Sequence, residues 1–150
     1  MGIYLNPNND NFKEISKREI YVDKTMMISV LNKFIDNDNS YVCVSRPRRF
    51  GKTFAVNMLS AYFSKGCDSR ELFSHFKIGR DESFESNLNK LNVIKIDMNS
   101  EYQNERDKDK LLENMQDKIV NEFREQFPDI DFAQRESVGN SILKAYAQKK

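Results

Sequence analysis

The chain has 150 residues, 39% of them apolar and 31% charged, with a formal net charge of +1. That length admits one domain, or part of one, with a real core, while the composition excludes both a disordered chain and a membrane-spanning one. A near-neutral balance also excludes a global field that would draw the chain onto nucleic acid or anionic lipid, so any such attraction must be local, at Arg46, Arg48, Arg49 and Lys52.

Met1 to Asp10 lacks the basic start and apolar stretch of a secretory signal, and Asn6 stands where a myristoylation signal has Ser or Thr. No apolar run nears the ~18 residues of a membrane helix, so the expected place is the cytosol, with no membrane partner. The Asn and Asp clusters at residues 6 to 11 and 36 to 39 read as turns. Between them, Asp23 is placed to cap a helix from about Lys24 to Ile35, on which Met27, Ile28, Leu31, Phe34 and Ile35 recur at helical spacing.

Tyr41-Val42-Cys43-Val44 is short, β-prone and almost free of polar groups, the pattern of a central strand covered on both faces. Lys52 to Ser64 follows as a helix with Ala55, Met58, Leu59 and Tyr62 on one face, widened by Val56 and Phe63, which predicts that it is buried. Lys65 suits its last turn and Gly66 is expected to supply a left-handed stop. A short helix over Glu82 to Leu88 and a second strand over Asn92 to Asp97 come next, and a crossover of that length implies a parallel pair.

An amphipathic helix is predicted from about Arg106 to Gln126 on Leu112, Met115, Ile119 and Phe123, ended by Phe127-Pro128-Asp129. Val138, Ile142, Ala145 and Tyr146 mark a last helix running almost to Lys150. The order of elements predicts an α/β fold with few parallel strands and flanking helices; the loop between the first strand and Lys52 decides whether it is the N-terminal part of a P-loop NTPase.

The chemistry is carried by Gly51-Lys52-Thr53, which follows the apolar run and opens a helix, the setting in which backbone N–H groups cradle phosphate. In such a loop Lys52 reaches the β- and γ-phosphates and the Thr53 hydroxyl ligates Mg²⁺, with Phe50 and Gly51 supplying backbone. Arg46 stands where the usual pattern has its first Gly, and Pro47 restricts Arg46 to the extended region. Arg48 and Arg49 offer guanidinium contacts to phosphate; the alternative is that they are solvated charges on a tight loop.

The string Val42-Cys43-Val44-Ser45-Arg46-Pro47-Arg48-Arg49-Phe50-Gly51-Lys52-Thr53 resembles the modified Walker A segment of the bacterial AAA-ATPase-like family, whose members often carry a PD-(D/E)XK nuclease-like domain further along. Gly2 to Pro7, Tyr21-Val22-Asp23-Lys24-Thr25 and Ser64 to Phe73 look like segments of the same family, so the resemblance covers roughly residues 2 to 100. It implies ATP and Mg²⁺ as ligands, Lys52 as the catalytic phosphate contact, and nucleic acid or a protein as a partner in full-length relatives. The oligomeric state is not legible.

Other residues read more plainly. Hydrolysis needs an apolar strand ending in Asp-Glu, whereas Val93-Ile94-Lys95-Ile96-Asp97 is interrupted by Lys95 and followed by Met98. Asp97 reads either as a strand-end cap or as a carboxylate near Mg²⁺. With no Asp-Glu strand and no nuclease triplet, the chain reads as an ATPase domain truncated before its acidic strand, with hydrolysis not expected. Cys43 and Cys67 read as reduced structural thiols, and His75 as a packing or surface residue. A rival reading from another class is a non-catalytic module whose arginine-rich loop grips nucleic-acid phosphate or an acidic partner.

Overall fold

The computed structural model describes residues 2–35, 37 and 40–148. The chain divides into two compact units, one formed by Asn6–Val93 and the other by Met1–Leu5 with Ile94–Lys150. The expected α/β sheet is not there: the protein is 49% helix and has no strand among the described residues, so the parallel-stranded P-loop fold is corrected to a helical one. Isolated bridges join Leu5 to Ile94, antiparallel, and Ser64 to Leu91, parallel.

In the Asn6–Val93 unit, α1 (Asp10–Ser16), α2 (Met26–Asn32), α3 (Lys52–Phe63) and α4 (Arg70–Ser74) are followed by a 3₁₀ turn at Lys77–Arg80. Phe12 of α1, Ile28 of α2, Met58, Ala61 and Tyr62 of α3 and Phe73 of α4 converge with Ile78 and Leu88 in one core. The α3 trio stands at the three- and four-residue spacing that puts side chains on one face. Aromatic packing fixes the centre: Phe12 stacks on Phe73 with ring centroids 4.9 Å apart, and Tyr62 meets Phe73 edge-on at 5.5 Å. The buried Tyr62 hydroxyl donates to the Phe84 carbonyl at 2.7 Å, so its polar end goes inside without a desolvation penalty left open.

Two small polar devices hold this unit's corners. Thr25 is fully buried; its hydroxyl donates to Asp23 Oδ1 at 2.7 Å and accepts the Ile78 N–H at 3.2 Å. Asp23 Oδ2 accepts the Lys77 N–H at 2.9 Å, so the segment before α2 is pinned to the 3₁₀ turn on both sides of Lys24. Burial opposes the charge of Asp23, but hydrogen bonds from Thr25 and Lys77 outweigh it together and hold the carboxyl below its usual range.

α3 ends at Ser64 in an extended conformation rather than at a left-handed Gly66, and its last carbonyls are met by Asn89, itself at φ 54. Its amide donates to the carbonyls of Ala61 at 3.2 Å and Ser64 at 2.8 Å, closing the helix from across the chain. Gly66 is needed for a different reason: a Cβ there would run into the Asn6 carbonyl.

The two expected strands fail for want of partners. Tyr41 to Val44 lies in the open, Tyr41 at 96% exposure, with no ladder beside it, and Cys43 is exposed with it rather than structural. An apolar run becomes a strand only when neighbours take its N–H and C=O groups, and fewer than three strands hold poorly. Residues 91 to 93 find other partners: Leu91 exchanges hydrogen bonds with Phe63 and Lys65, and Val93 accepts from Asn6 at 2.8 Å. With no sheet against it, α3 is buried only over its second half, and Phe54 and Val56 are exposed. The helix expected at Glu82 to Leu88 is a run of turns, and α2 is shorter than Lys24 to Ile35. The turn expected at 36 to 39 falls largely outside the described residues, as does the end of the last helix at Lys149 and Lys150.

In the other unit, α5 (Met98–Asn104), α6 (Lys108–Gln126) and α7 (Val138–Ala147) each begin at a side-chain cap, from Asp97, Asp107 and Ser137. Tyr4, Leu5, Ile119, Phe123, Phe132 and Ala145 form its core. The N-terminal strap is tied down by Glu122, whose carboxylate accepts the N–H groups of Ile3, Tyr4 and Leu5 at 2.7, 2.9 and 2.7 Å.

Glu101, buried at 7% exposure, accepts from the Tyr4 hydroxyl at 2.7 Å and from Lys118 at 3.0 Å. The Tyr4 hydrogen bond first, and the Lys118 ammonium after it, hold the Glu101 carboxyl below its usual range despite burial. A carboxyl depressed in the folded state stabilises above its unfolded value and loses that contribution as pH falls through the folded one. Wild type should therefore exceed Glu101→Gln in urea midpoint at neutral pH, and the gap should shrink as the pH drops through about 4 and below. A gap that does not change with pH would remove the ionised carboxylate from the account.

Candidate functional site

The candidate phosphate site is built where the exposed loop 45–50 enters α3. Gly51 stands immediately before the helix at φ 78, a left-handed conformation that a side chain would strain. Arg49 takes the same region at φ 69 without being glycine, so the loop turns twice through conformations that L residues seldom adopt. Phe50 closes the turn with an N–H to the Pro47 carbonyl at 3.4 Å. No side chain caps α3, and its first intrahelical bond runs from the Ala55 N–H to the Gly51 carbonyl at 3.0 Å. The helix therefore presents uncapped first-turn N–H groups and the positive end of its dipole.

Lys52 is the first residue of the helix, and its ammonium is folded back along the loop. It donates to the carbonyl oxygens of Arg46 and, at 3.3 Å, Pro47. Thr53 follows with its side chain exposed, and Arg46 and Arg48 are exposed on the loop.

Beside this helix end lies a cavity of about 330 Å³. Arg49, Phe50 and Gly51 line it from the loop, and Phe54, Ala55 and Met58 from α3. Arg18, Tyr21 and Lys24 line it from the segment between α1 and α2. Three rings (Tyr21, Phe50, Phe54) and three cations (Arg18, Lys24, Arg49) thus meet in one concavity. The Arg18 guanidinium sits 5.2 Å from the centre of the Phe54 ring, a cation–π pair that fixes one wall. Burial first, and the negative Asp23 second, push the Tyr21 phenol up to about 12, so it stays a neutral hydrogen-bond donor at physiological pH. A planar aromatic group with anionic substituents matches both the walls and the charge.

Of the residues expected at the site, Arg49, Phe50 and Gly51 line the cavity, and Lys52 and Thr53 continue from it along α3. Arg46 contributes a carbonyl to Lys52 rather than a guanidinium to the cavity. Arg18, Tyr21, Lys24 and Phe54 were not expected there, although Tyr21 to Thr25 already stood out in the sequence as a segment resembling the family.

Asp97 belongs to the other unit, where its Oδ1 accepts the N–H groups of Asn99 and Ser100 at 3.0 and 3.3 Å as the cap of α5. His75 is exposed. Among the described residues no three His, Cys, Asp or Glu side chains stand together as a metal site, and no helix is long and apolar enough to cross a membrane.

No curated protein and no solved structure matches the chain. A family model described as Predicted AAA-ATPase, AAA-ATPase-like, matches residues 8–150, which takes in the resembling segments after Pro7 and continues past residue 100, while Gly2 to Pro7 lie outside it. With nearly its whole length matched, the chain belongs to the AAA-ATPase-like family.

Proposed function

We propose that this chain binds a nucleoside triphosphate, with ATP as the first candidate, at the junction of the Arg46 to Gly51 loop and α3. The observation that carries the reading is the uncapped start of α3 behind a left-handed Gly51, directly beside a concavity that combines aromatic walls with cations. The base occupies the apolar part among Tyr21, Phe50 and Phe54. The phosphates lie toward the first-turn N–H groups, with Lys52 turning from the Arg46 and Pro47 carbonyls to meet them. Arg49 faces the cavity and neutralises phosphate charge there, whereas Arg48 acts from the outer side of the loop.

Magnesium fits this arrangement only in company with phosphate. Thr53 brings one hydroxyl, and Mg²⁺ commonly takes one or two protein ligands with substrate oxygens and water completing its shell. When bound, the ion neutralises charge on the phosphates. The proposal is one of binding: the protein residues named here orient and hold the ligand, and Asp97, the carboxylate that the sequence sets at the end of an apolar run, caps a helix. We also place the protein in the cytosol, where its two free thiols suit a reducing compartment.

Calorimetric titration of the purified chain with ATP, ADP and adenosine, with and without Mg²⁺, tests this. ATP should bind most tightly, and Mg²⁺ should strengthen ATP and leave adenosine unchanged. Binding that ignores Mg²⁺ and the base, extends to any polyanion and falls steeply with salt would replace the reading with a phosphate-gripping interaction module.

A further inference from the structure

Lys24 is an exposed lysine held with more care than an exposed lysine needs. The residues on either side of it are both fixed: Asp23 accepts the Thr25 N–H at 2.8 Å, the Thr25 hydroxyl at 2.7 Å and the Lys77 N–H at 2.9 Å, and Thr25 is fully buried against Ile78. A lysine on a free loop spreads its ammonium over many rotamers. Here the backbone at Lys24 is clamped from both flanks, and Lys24 lines the cavity beside α3. Its Nζ lies 3.6 Å from the point where a Cβ on Gly51 would stand. No ion-pair partner accompanies it among the described residues, although Asp23 is its neighbour in sequence. The Asp23 carboxylate is already committed to Thr25 and Lys77. An ammonium without a counter-charge among the described residues thus stands beside the glycine that opens α3.

We propose that Lys24 is a further phosphate-binding cation of this site, delivered by the Asp23–Thr25 clamp and acting together with Lys52 on the polyphosphate of a nucleotide. The inference rests on the nucleotide-binding reading above and deepens it. The clamp makes Lys24 selective by charge: its contribution grows with the number of phosphates and is absent for a nucleoside. It also explains why Gly51 is flanked by an open ammonium, since a bulkier residue there would occupy the space between Lys24 and the helix end.

The test is a charge series on the full chain, with Mg-ATP, Mg-ADP and adenosine titrated into wild type, Lys24→Met, Lys24→Arg and Lys52→Ala. Met keeps the apolar stem of the lysine and removes only the charge. Lys24→Met should weaken Mg-ATP about tenfold, the scale of one charge-assisted contact, weaken Mg-ADP less and leave adenosine unchanged. Lys24→Arg should restore most of the ATP affinity. Unchanged ATP affinity in Lys24→Met, beside a clear loss in Lys52→Ala, would overturn the role of Lys24 and leave the site standing. Equal losses for ATP and adenosine would overturn it too, because they would show damage to the cavity rather than loss of a phosphate contact. If wild type binds none of the three ligands, the nucleotide reading falls, and Lys24 loses its role with it.

Discussion

Phe73→Ala should cost the Asn6–Val93 unit about 3–5 kcal/mol, the range for deleting a fully enclosed aromatic side chain. Phe73 has no exposed surface and touches rings on three sides: Phe12 stacked at 4.9 Å, Tyr62 edge-on at 5.5 Å and Phe76 at 6.3 Å. It stands on α4, a helix of only 5 residues that cannot hold itself in water and so depends on this packing to stay folded. A domain's whole stability is on the order of 5–15 kcal/mol, which makes this one side chain a large share of it. Urea unfolding followed by circular dichroism reads the effect directly. A change below about 1 kcal/mol would mean that the aromatic cluster is not the centre of this unit.

What the sequence disclosed of the fold follows from where each signal comes from. Helices α3, α6 and α7 were legible because their apolar spacing is internal to each segment, and all three were placed to within a few residues. The 7-residue α2 was found by its apolar spacing but read too long, whereas α1, α4 and α5, of 7, 5 and 7 residues, were missed because each carries too few apolar residues to show a period. The sheet was misread for a different reason. Tyr41 to Val44 has every local mark of a buried strand, but a strand is completed by its neighbours' hydrogen bonds, and no property of those residues reveals whether neighbours exist. The same gap in information misplaced the close of α3: Gly66 looked like the stop, while the residue that closes the helix, Asn89, comes from far along the chain.

The candidate site was half legible by the same logic. Gly51, Lys52 and Thr53 are contiguous, so the loop and the helix start could be read as one unit, and the left-handed Gly51 agrees with the role that such a loop gives to glycine. Arg18, Tyr21 and Lys24 reach the cavity only because α1 packs against α3 and the Asp23–Thr25 clamp fixes the segment between α1 and α2. Those are tertiary facts. A lysine between Asp and Thr looks in sequence like part of a helix cap, but α2 has no side-chain cap: the Asp23 carboxylate serves Thr25 and the Lys77 N–H instead, which leaves the Lys24 ammonium without a counter-charge among the described residues.

Replacing Lys52 by Ala should lower Mg-ATP affinity by an order of magnitude or more while the folded state scarcely changes. The two halves of that expectation have separate causes. Lys52 is exposed, and among the described residues its ammonium bonds to the carbonyls of Arg46 and Pro47, groups that water can serve equally well once the side chain is gone. The melting temperature should therefore stay close to that of wild type. On phosphate the same ammonium would face a full negative charge at the positive end of α3, where a charge-assisted hydrogen bond is worth about 1.5–3 kcal/mol, or roughly ten- to a hundredfold in affinity. Adenosine, lacking phosphate, should bind wild type and variant alike. The carbonyl contacts set the lower end of the range, because Lys52 must leave two acceptors to reach the ligand and only the difference appears as affinity. Calorimetric titration of both ligands, with thermal unfolding of both proteins alongside, separates these effects. Equal ATP affinity in wild type and Lys52→Ala would remove the helix start from the binding site, whatever the cavity beside it holds.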